Sequence, residues 1–122
     1  MQQNKKTLVI GASPKVERYS FKATQMLQEY NHEVVPFGIK KGAIGTLNIM
    51  NHWPEKESFD TITLYVNSKL QEQYNEKIIT LNPKRIIFNP GTENEKLANM
   101  AKQNNIQTIN ACTLVLLRSN QY

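Results

Sequence analysis

Short apolar runs alternate along this chain with segments whose apolar residues recur at helical spacing. Thr7-Leu8-Val9-Ile10 is a strand-like run ended by Gly11, and after a polar loop Ala23, Met26, Leu27 and Tyr30 return at three- and four-residue steps, the mark of an amphipathic helix. Asn31 tolerates left-handed backbone and closes that helix, and His32 behind it reads as a surface cap rather than a base. Val34-Val35-Pro36-Phe37 is a second strand. Its proline has no N–H to donate, so it belongs at an edge or a strand end. Residues 38–59, with Gly38, Gly42, Gly45 and Pro54, are the least regular stretch, where Leu47 to Met50 reads at most as a short strand.

Asp60 to Val66 is the next strand. Ser68 with Gln71 forms a capping box for a helix with a buried stripe of Leu70, Tyr74, Ile78 and Leu81, stopped by Pro83. Arg85-Ile86-Ile87-Phe88 is a further strand, then come Asn89-Pro90-Gly91 and a second capping box, Thr92 with Glu95. That box opens a helix burying Leu97, Met100 and Ala101 and ending at Asn104-Asn105. Ile106 to Ile109 is the last strand and Ala111 to Arg118 a short final helix. Repeated strand-helix units imply right-handed crossovers and a parallel sheet covered on both faces. The expectation is a single α/β domain over residues 1–122: a doubly wound, Rossmann-like parallel sheet of about five strands. Strand 1 should lie centrally, with strand 2 on one side and the later strands on the other.

Composition agrees with that size. The 122 residues are 39% hydrophobic and 20% charged, enough for one compact unit that folds alone. No window approaches the ~20 apolar residues of a membrane-spanning helix, and Met1-Gln2-Gln3-Asn4-Lys5-Lys6 lacks the apolar core of a secretion signal. A soluble, cytoplasmic protein without membrane association is expected. Cys112 is the only cysteine, which excludes an internal disulfide, and with only His32 and His52 beside it a Cys/His zinc cage cannot be completed. The net charge of +5 favours anionic partners, but the excess is spread over both halves with no basic arm. That argues against nucleic acid, while charge alone does not choose between an acidic membrane surface and a phosphorylated small molecule.

In doubly wound sheets ligands bind outside the carboxyl ends of the strands, where the strand order reverses. Gly11-Ala12-Ser13-Pro14-Lys15-Val16-Glu17-Arg18-Tyr19-Ser20 stands there. Free amides at the helix start would face an anion, Gly11 and Ala12 would allow close approach, and Arg18, Ser13 and Ser20 would add donors. The alternative is an ordinary turn in which Ser20 is merely an N-cap. The dinucleotide fingerprint G-x-G-x-x-G is not satisfied, since Ser13 stands in place of its second glycine. After strand 2 an NAD site needs an acidic residue, whereas Phe37 is followed by Gly38-Ile39-Lys40-Lys41-Gly42. Lys40 and Lys41 suit a ribose carrying its own phosphate, as in coenzyme A or NADP. They are equally compatible with a solvated charge pair.

With these residues the chain resembles the small stand-alone coenzyme A-binding proteins, related to the nucleotide-binding domain of the succinyl-CoA synthetase alpha subunit. The likeness is carried by Val9-Ile10-Gly11-Ala12-Ser13 with Arg18-Tyr19-Ser20, by His32-Glu33-Val34-Val35-Pro36 and Ile44-Gly45, by Phe88-Asn89-Pro90-Gly91-Thr92-Glu93-Asn94, and by Ala111-Cys112-Thr113-Leu114-Val115. The resemblance implies that Gly11, Ala12, Ser13, Arg18 and Ser20, with Tyr19 in the same segment, hold the pyrophosphate. It also implies that the Phe37 to Lys41 turn receives the adenosine and its 3′-phosphate. Asn67 and the Asn89-Pro90-Gly91 loop would line the route of the pantetheine arm. Phe37-Gly38-Ile39 departs from the Asn-Pro that such proteins commonly show after strand 2, and Asn31 and Asn105 stand where glycines usually end the helices. The ligase's phosphorylated-histidine domain has no counterpart, so its chemistry does not transfer.

Little in the chain suggests catalysis. Cys112, at the start of the last helix, is either a small residue packing with Leu114 and Val115 or a thiol placed to form a mixed disulfide with the coenzyme. Trp53 would cover core or meet an adenine ring, and Glu93 and Glu95 suit a helix start without chemical purpose. The expected activity is binding of coenzyme A or a short acyl-CoA without reaction chemistry, without metal, and with homodimerisation open. The alternatives are a small NADP-dependent reductase and a basic partner-binding domain.

Overall fold

The computed structural model describes residues 4–122, so part of the amino-terminal stretch read above lies outside the described residues. In chain order the elements are β1 (Thr7–Ile10), α1 (Tyr19–Glu29), β2 (Val34–Phe37), β3 (Ala43–Ile44), β4 (Leu47–Asn48) and β5 (Thr61–Leu64). There follow α2 (Ser68–Gln71), a 3-10 turn over Glu72–Tyr74, α3 (Asn75–Leu81), β6 (Arg85–Phe88), α4 (Glu95–Gln103), β7 (Gln107–Asn110) and α5 (Thr113–Arg118). Five strands form one parallel sheet in the order β2-β1-β5-β6-β7. This is the doubly wound arrangement that the alternation predicts, and the order reverses at β1.

Successive residues of a strand face opposite sides, so the two-residue period sorts the core into two layers. Leu8, Ile10, Ile62, Leu64, Ile86 and Phe88 pack against Ile78, Leu81, Leu97 and Ala101 of α3 and α4. Val9 and Ile87 face the other way, onto Phe21 and Leu27 of α1 and Leu116 and Leu117 of α5. Pro36 sits, as its missing donor requires, on the edge strand β2. Its carbonyl accepts from Met50 N at 2.8 Å, and Gly38 N donates to Met50 O at 3.1 Å. The β3–β4 hairpin, where only a short strand was expected, leads into this contact.

Left-handed asparagines end the helices. Asn31 (φ 67°) and Asn105 (φ 59°) do so as expected, and Asn82 (φ 51°) and Asn120 (φ 60°) serve α3 and α5 in the same way. Helix starts differ from the expectation. Both capping boxes yield to asparagines: the Asn67 side chain accepts from Leu70 N at 2.9 Å and that of Asn94 from Leu97 N at 3.1 Å. Gln71, freed from capping, turns inward and donates to Val66 O and Thr92 O, both at 2.7 Å. Thr92 bonds back to Asn89 O at 2.8 Å. Helix α1 starts after Arg18, so Ser20 lies inside the first turn and is buried rather than capping.

The helix expected over 68–81 is broken by the 3-10 turn. The break rotates Leu70 out of the buried stripe and leaves it 50% exposed, whereas Ile78 and Leu81 stay inside. Met100 is only half-buried. His32 is not a surface cap: it is 4% exposed, its Nδ1 accepts from Lys5 N at 3.0 Å, and its ring packs on Tyr122 at 4.9 Å.

Candidate functional site

A cavity of about 380 Å³ opens at the carboxyl ends of β1, β2 and β5, where the strand order reverses. Three segments build it. The loop after β1 supplies Gly11, Ala12, Ser13, Lys15 and Arg18. The turn after β2 supplies Phe37, Gly38, Ile39 and Lys40. The third segment, after β5, supplies Val66, Leu70, Gln73 and Tyr74.

The first two loops touch backbone to backbone. Gly11 N and Ala12 N both donate to Phe37 O at 2.9 Å, so these two amides are not free for a ligand, contrary to the expectation from the loop's position. They serve instead to hold the β1 and β2 loops together. A Cβ on Gly38 would lie 2.4 Å from Ala12 O, and one on Gly11, at φ 96°, would lie 2.8 Å from Val66 Cγ1. Glycine is therefore required by contact at both positions. The side-chain donors that can face an anion are the cations Lys15, Arg18 and Lys40 and the Ser13 hydroxyl, whose oxygen accepts from Lys15 N at 3.2 Å, and the first amides of α1 have no capping partner. No carboxylate lines the cavity.

Behind this charged mouth the wall is aromatic. Phe37 meets Tyr74 edge-on at 5.6 Å, and Trp53 stacks on Tyr74 at 5.4 Å with ring planes 11° apart. Trp53 thus buttresses Tyr74 from behind and does not line the cavity. At the rim stand two exposed aliphatic side chains, Ile39 (85%) and Leu70 (50%). Leaving such groups in water is unfavourable unless something apolar covers them.

A second cavity of about 280 Å³ is lined by Tyr19, Tyr65, Asn89, Pro90, Cys112 and Leu114. Asn89 is 2% exposed and its side chain is committed: Nδ2 donates to Thr63 Oγ1 at 2.6 Å and Leu64 O at 2.8 Å, and Oδ1 accepts from Thr113 N at 2.9 Å. The Tyr65 hydroxyl is buried beneath the sheet end with no partner in hydrogen-bonding geometry, and burial raises its pKa, so it stays protonated. Cys112 occupies the N-cap position of α5 and makes no capping bond there.

Of the residues singled out in the sequence, Gly11, Ala12, Ser13, Arg18, Phe37 and Lys40 line the first cavity, and Tyr19, Asn89, Pro90 and Cys112 line the second. Ser20, Lys41, Asn67 and Gly91 line neither. Ser20 is buried, Lys41 points to solvent, Asn67 caps α2, and Gly91 lies in an exposed turn with its N–H on Glu93 Oε1 at 2.9 Å. Sequence reasoning missed Lys15, Leu70, Gln73, Tyr74 and Tyr65, and took in Ile39 only as part of the Phe37 to Lys41 turn. For Lys15 and Ile39 the signal was present, a cation and an unexplained aliphatic residue in the two loops already chosen. For Leu70 and Tyr74 it was hidden by their helical spacing.

Among the described residues no cluster of three or more His, Cys, Asp or Glu could hold a metal ion, and no helix is long and apolar enough to cross a membrane. The family profile described as "CoA binding domain" matches residues 5–118. The crystal structure of an uncharacterized protein is 42% identical and superposes with a TM-score of 0.96, covering 99% of this chain and 100% of that one. A hypothetical protein from Pyrococcus horikoshii OT3 is 23% identical (TM-score 0.84; 98% and 84% covered). A Thermus thermophilus structure is 16% identical (TM-score 0.82; 98% and 91% covered), a likeness of fold alone. No protein of curated function matches the chain.

Proposed function

Because the chain belongs to the CoA-binding domain family, we propose that it binds coenzyme A or a short acyl-CoA across the two cavities and performs no reaction chemistry of its own. The observation that carries this reading is the first cavity's lining, with Lys15, Arg18 and Lys40 around its mouth, an aromatic wall behind and no carboxylate. In this reading the pyrophosphate lies by Ser13, Lys15 and Arg18, where charge-assisted hydrogen bonds hold it. The adenine fits between the exposed Ile39 and Leu70, over Tyr74, and covers the aliphatic groups that are otherwise in water. Lys40 takes the 3′-phosphate, and the uncharged pantetheine arm runs on past Val66 towards the second cavity.

Neither cavity is lined by a histidine or a carboxylate, the groups that most often move protons at neutral pH, which supports binding without catalysis. Coenzyme A is an intracellular cofactor, and we assign the protein to the cytoplasm accordingly.

Thermal unfolding with coenzyme A, dephospho-CoA and NADP tests the reading. A ligand at a hundred times its dissociation constant adds about 2.7 kcal/mol. Coenzyme A is expected to stabilise most and dephospho-CoA less. Stabilisation by NADP alone would replace this proposal with the small reductase, and no shift with any of the three would favour a basic partner-binding domain.

A further inference from the structure

The two cavities are lined by neighbouring residues of the chain at two places. Arg18 lines the first and its neighbour Tyr19 the second, and after β5 Val66 lines the first and Tyr65 the second. The chemistry changes over that one step. Three cations surround the first cavity, whereas no charged residue lines the second. Its walls are two aromatic side chains, a proline, a leucine and a thiol, together with an Asn89 carboxamide whose hydrogen bonds are already made within the protein. Lys22 sits over the Tyr19 ring, its Nζ 5.6 Å from the centroid, and is not among the lining residues.

A free thiol at the end of the pantetheine arm would leave most of these apolar walls in contact with water. A hydrocarbon attached to that thiol would cover them. The cavity must take the amide, ethylene and sulfur at the end of the pantetheine arm as well as the acyl group, so the room left is for a short chain, roughly two to four carbons beyond the sulfur. A terminal carboxylate would be desolvated there without a lining cation to pair with it.

Resting on the coenzyme A reading above, we infer that the second cavity is an acyl pocket selective for short, uncharged acyl thioesters such as acetyl- and butyryl-CoA, and that it rejects dicarboxylic ones such as succinyl-CoA. Tyr19, 67% exposed and forming the outer wall, sets the length limit.

Isothermal titration of the full chain with coenzyme A and with acetyl-, butyryl-, hexanoyl- and succinyl-CoA tests this. Butyryl-CoA is expected to bind several-fold more tightly than coenzyme A, with each methylene that enters the pocket worth up to about fourfold. Succinyl-CoA should bind at least about tenfold more weakly than butyryl-CoA. In Tyr19→Ala the ratio of hexanoyl- to butyryl-CoA affinity should rise, a readout independent of any loss common to all the ligands. If coenzyme A binds but butyryl-CoA is no tighter, or succinyl-CoA equals butyryl-CoA, the acyl pocket is wrong while the coenzyme site stands. If no coenzyme A derivative binds, the underlying reading fails as well.

Discussion

The Asn89 carboxamide donates to the Thr63 hydroxyl at 2.6 Å, and Thr63 in turn lies 2.8 Å from the hydroxyl of Thr113, whose amide donates to Asn89 Oδ1 at 2.9 Å. This closed ring joins the ends of β5 and β6 to the first residue of α5 and thereby fixes the floor of the second cavity. Asn89 acts on the site by positioning its walls. Asn89→Ala leaves a buried amide, a buried carbonyl and a hydroxyl short of partners, and should cost roughly 2–4 kcal/mol. Asn67→Ala, which removes one exposed capping bond, should cost about 1 kcal/mol. Urea unfolding of both variants measures the contrast, and equal losses would refute the positioning argument.

Gly38→Ala would push a methyl to within 2.4 Å of the Ala12 carbonyl oxygen and force the β1 and β2 loops apart. A stability loss of about 1–3 kcal/mol is expected. Coenzyme A affinity should fall at least about tenfold, because those loops carry both the phosphate and the adenosine contacts. Gly91→Ala meets no atom within 4 Å and suffers only from its φ of 89°, so it should cost about 1–2 kcal/mol and leave affinity unchanged. Calorimetry of the two variants separates loop contact from backbone strain.

Lys40 lines the first cavity and Lys41 does not, although the two are adjacent in sequence. Lys40→Ala should weaken coenzyme A binding about tenfold while barely affecting dephospho-CoA, as expected for the loss of one charge-assisted bond. Lys41→Ala should change either ligand by less than about threefold, the effect of a distant, screened charge. Equal effects of the two substitutions would mean that the 3′-phosphate is held elsewhere.

His32 is kept neutral by burial and by the charges of Lys5 and Arg85, with Asp60 opposing weakly, so its pKa in the folded protein lies below the usual 6.5. The unfolded chain therefore binds the proton first. Stability should be complete above about pH 6.5 and fall as the pH drops from there towards the folded-state value. In His32→Gln that part of the pH dependence should disappear from unfolding curves collected between pH 7 and 5. A profile unchanged by the substitution would assign the acid sensitivity to other groups.

What the sequence by itself determined is what depends on neighbours along the chain. The β1, β2 and β6 runs are apolar for three or four consecutive residues because the sheet covers both of their faces, or one face and an edge. They stand out with correct bounds for that reason. The left-handed asparagines at 31 and 105 are local as well, as is the edge position of Pro36. The basic, glycine-bearing loops after β1 and β2 could be chosen as the site because strand order follows from repeated right-handed crossovers.

Only the tertiary structure decided which groups in those loops remain free. The Gly11 and Ala12 amides are taken by the Phe37 carbonyl, a residue some 25 positions away that no local pattern connects to them. Leu70 has the spacing of a core residue, yet the 3-10 turn after it turns the side chain outward to the cavity rim. The second cavity likewise draws its walls from four separate segments of the chain. Local propensity sets where strands and helices lie, but exposure and hydrogen-bond partnership depend on contacts between distant segments, and these exist only once the sheet has assembled.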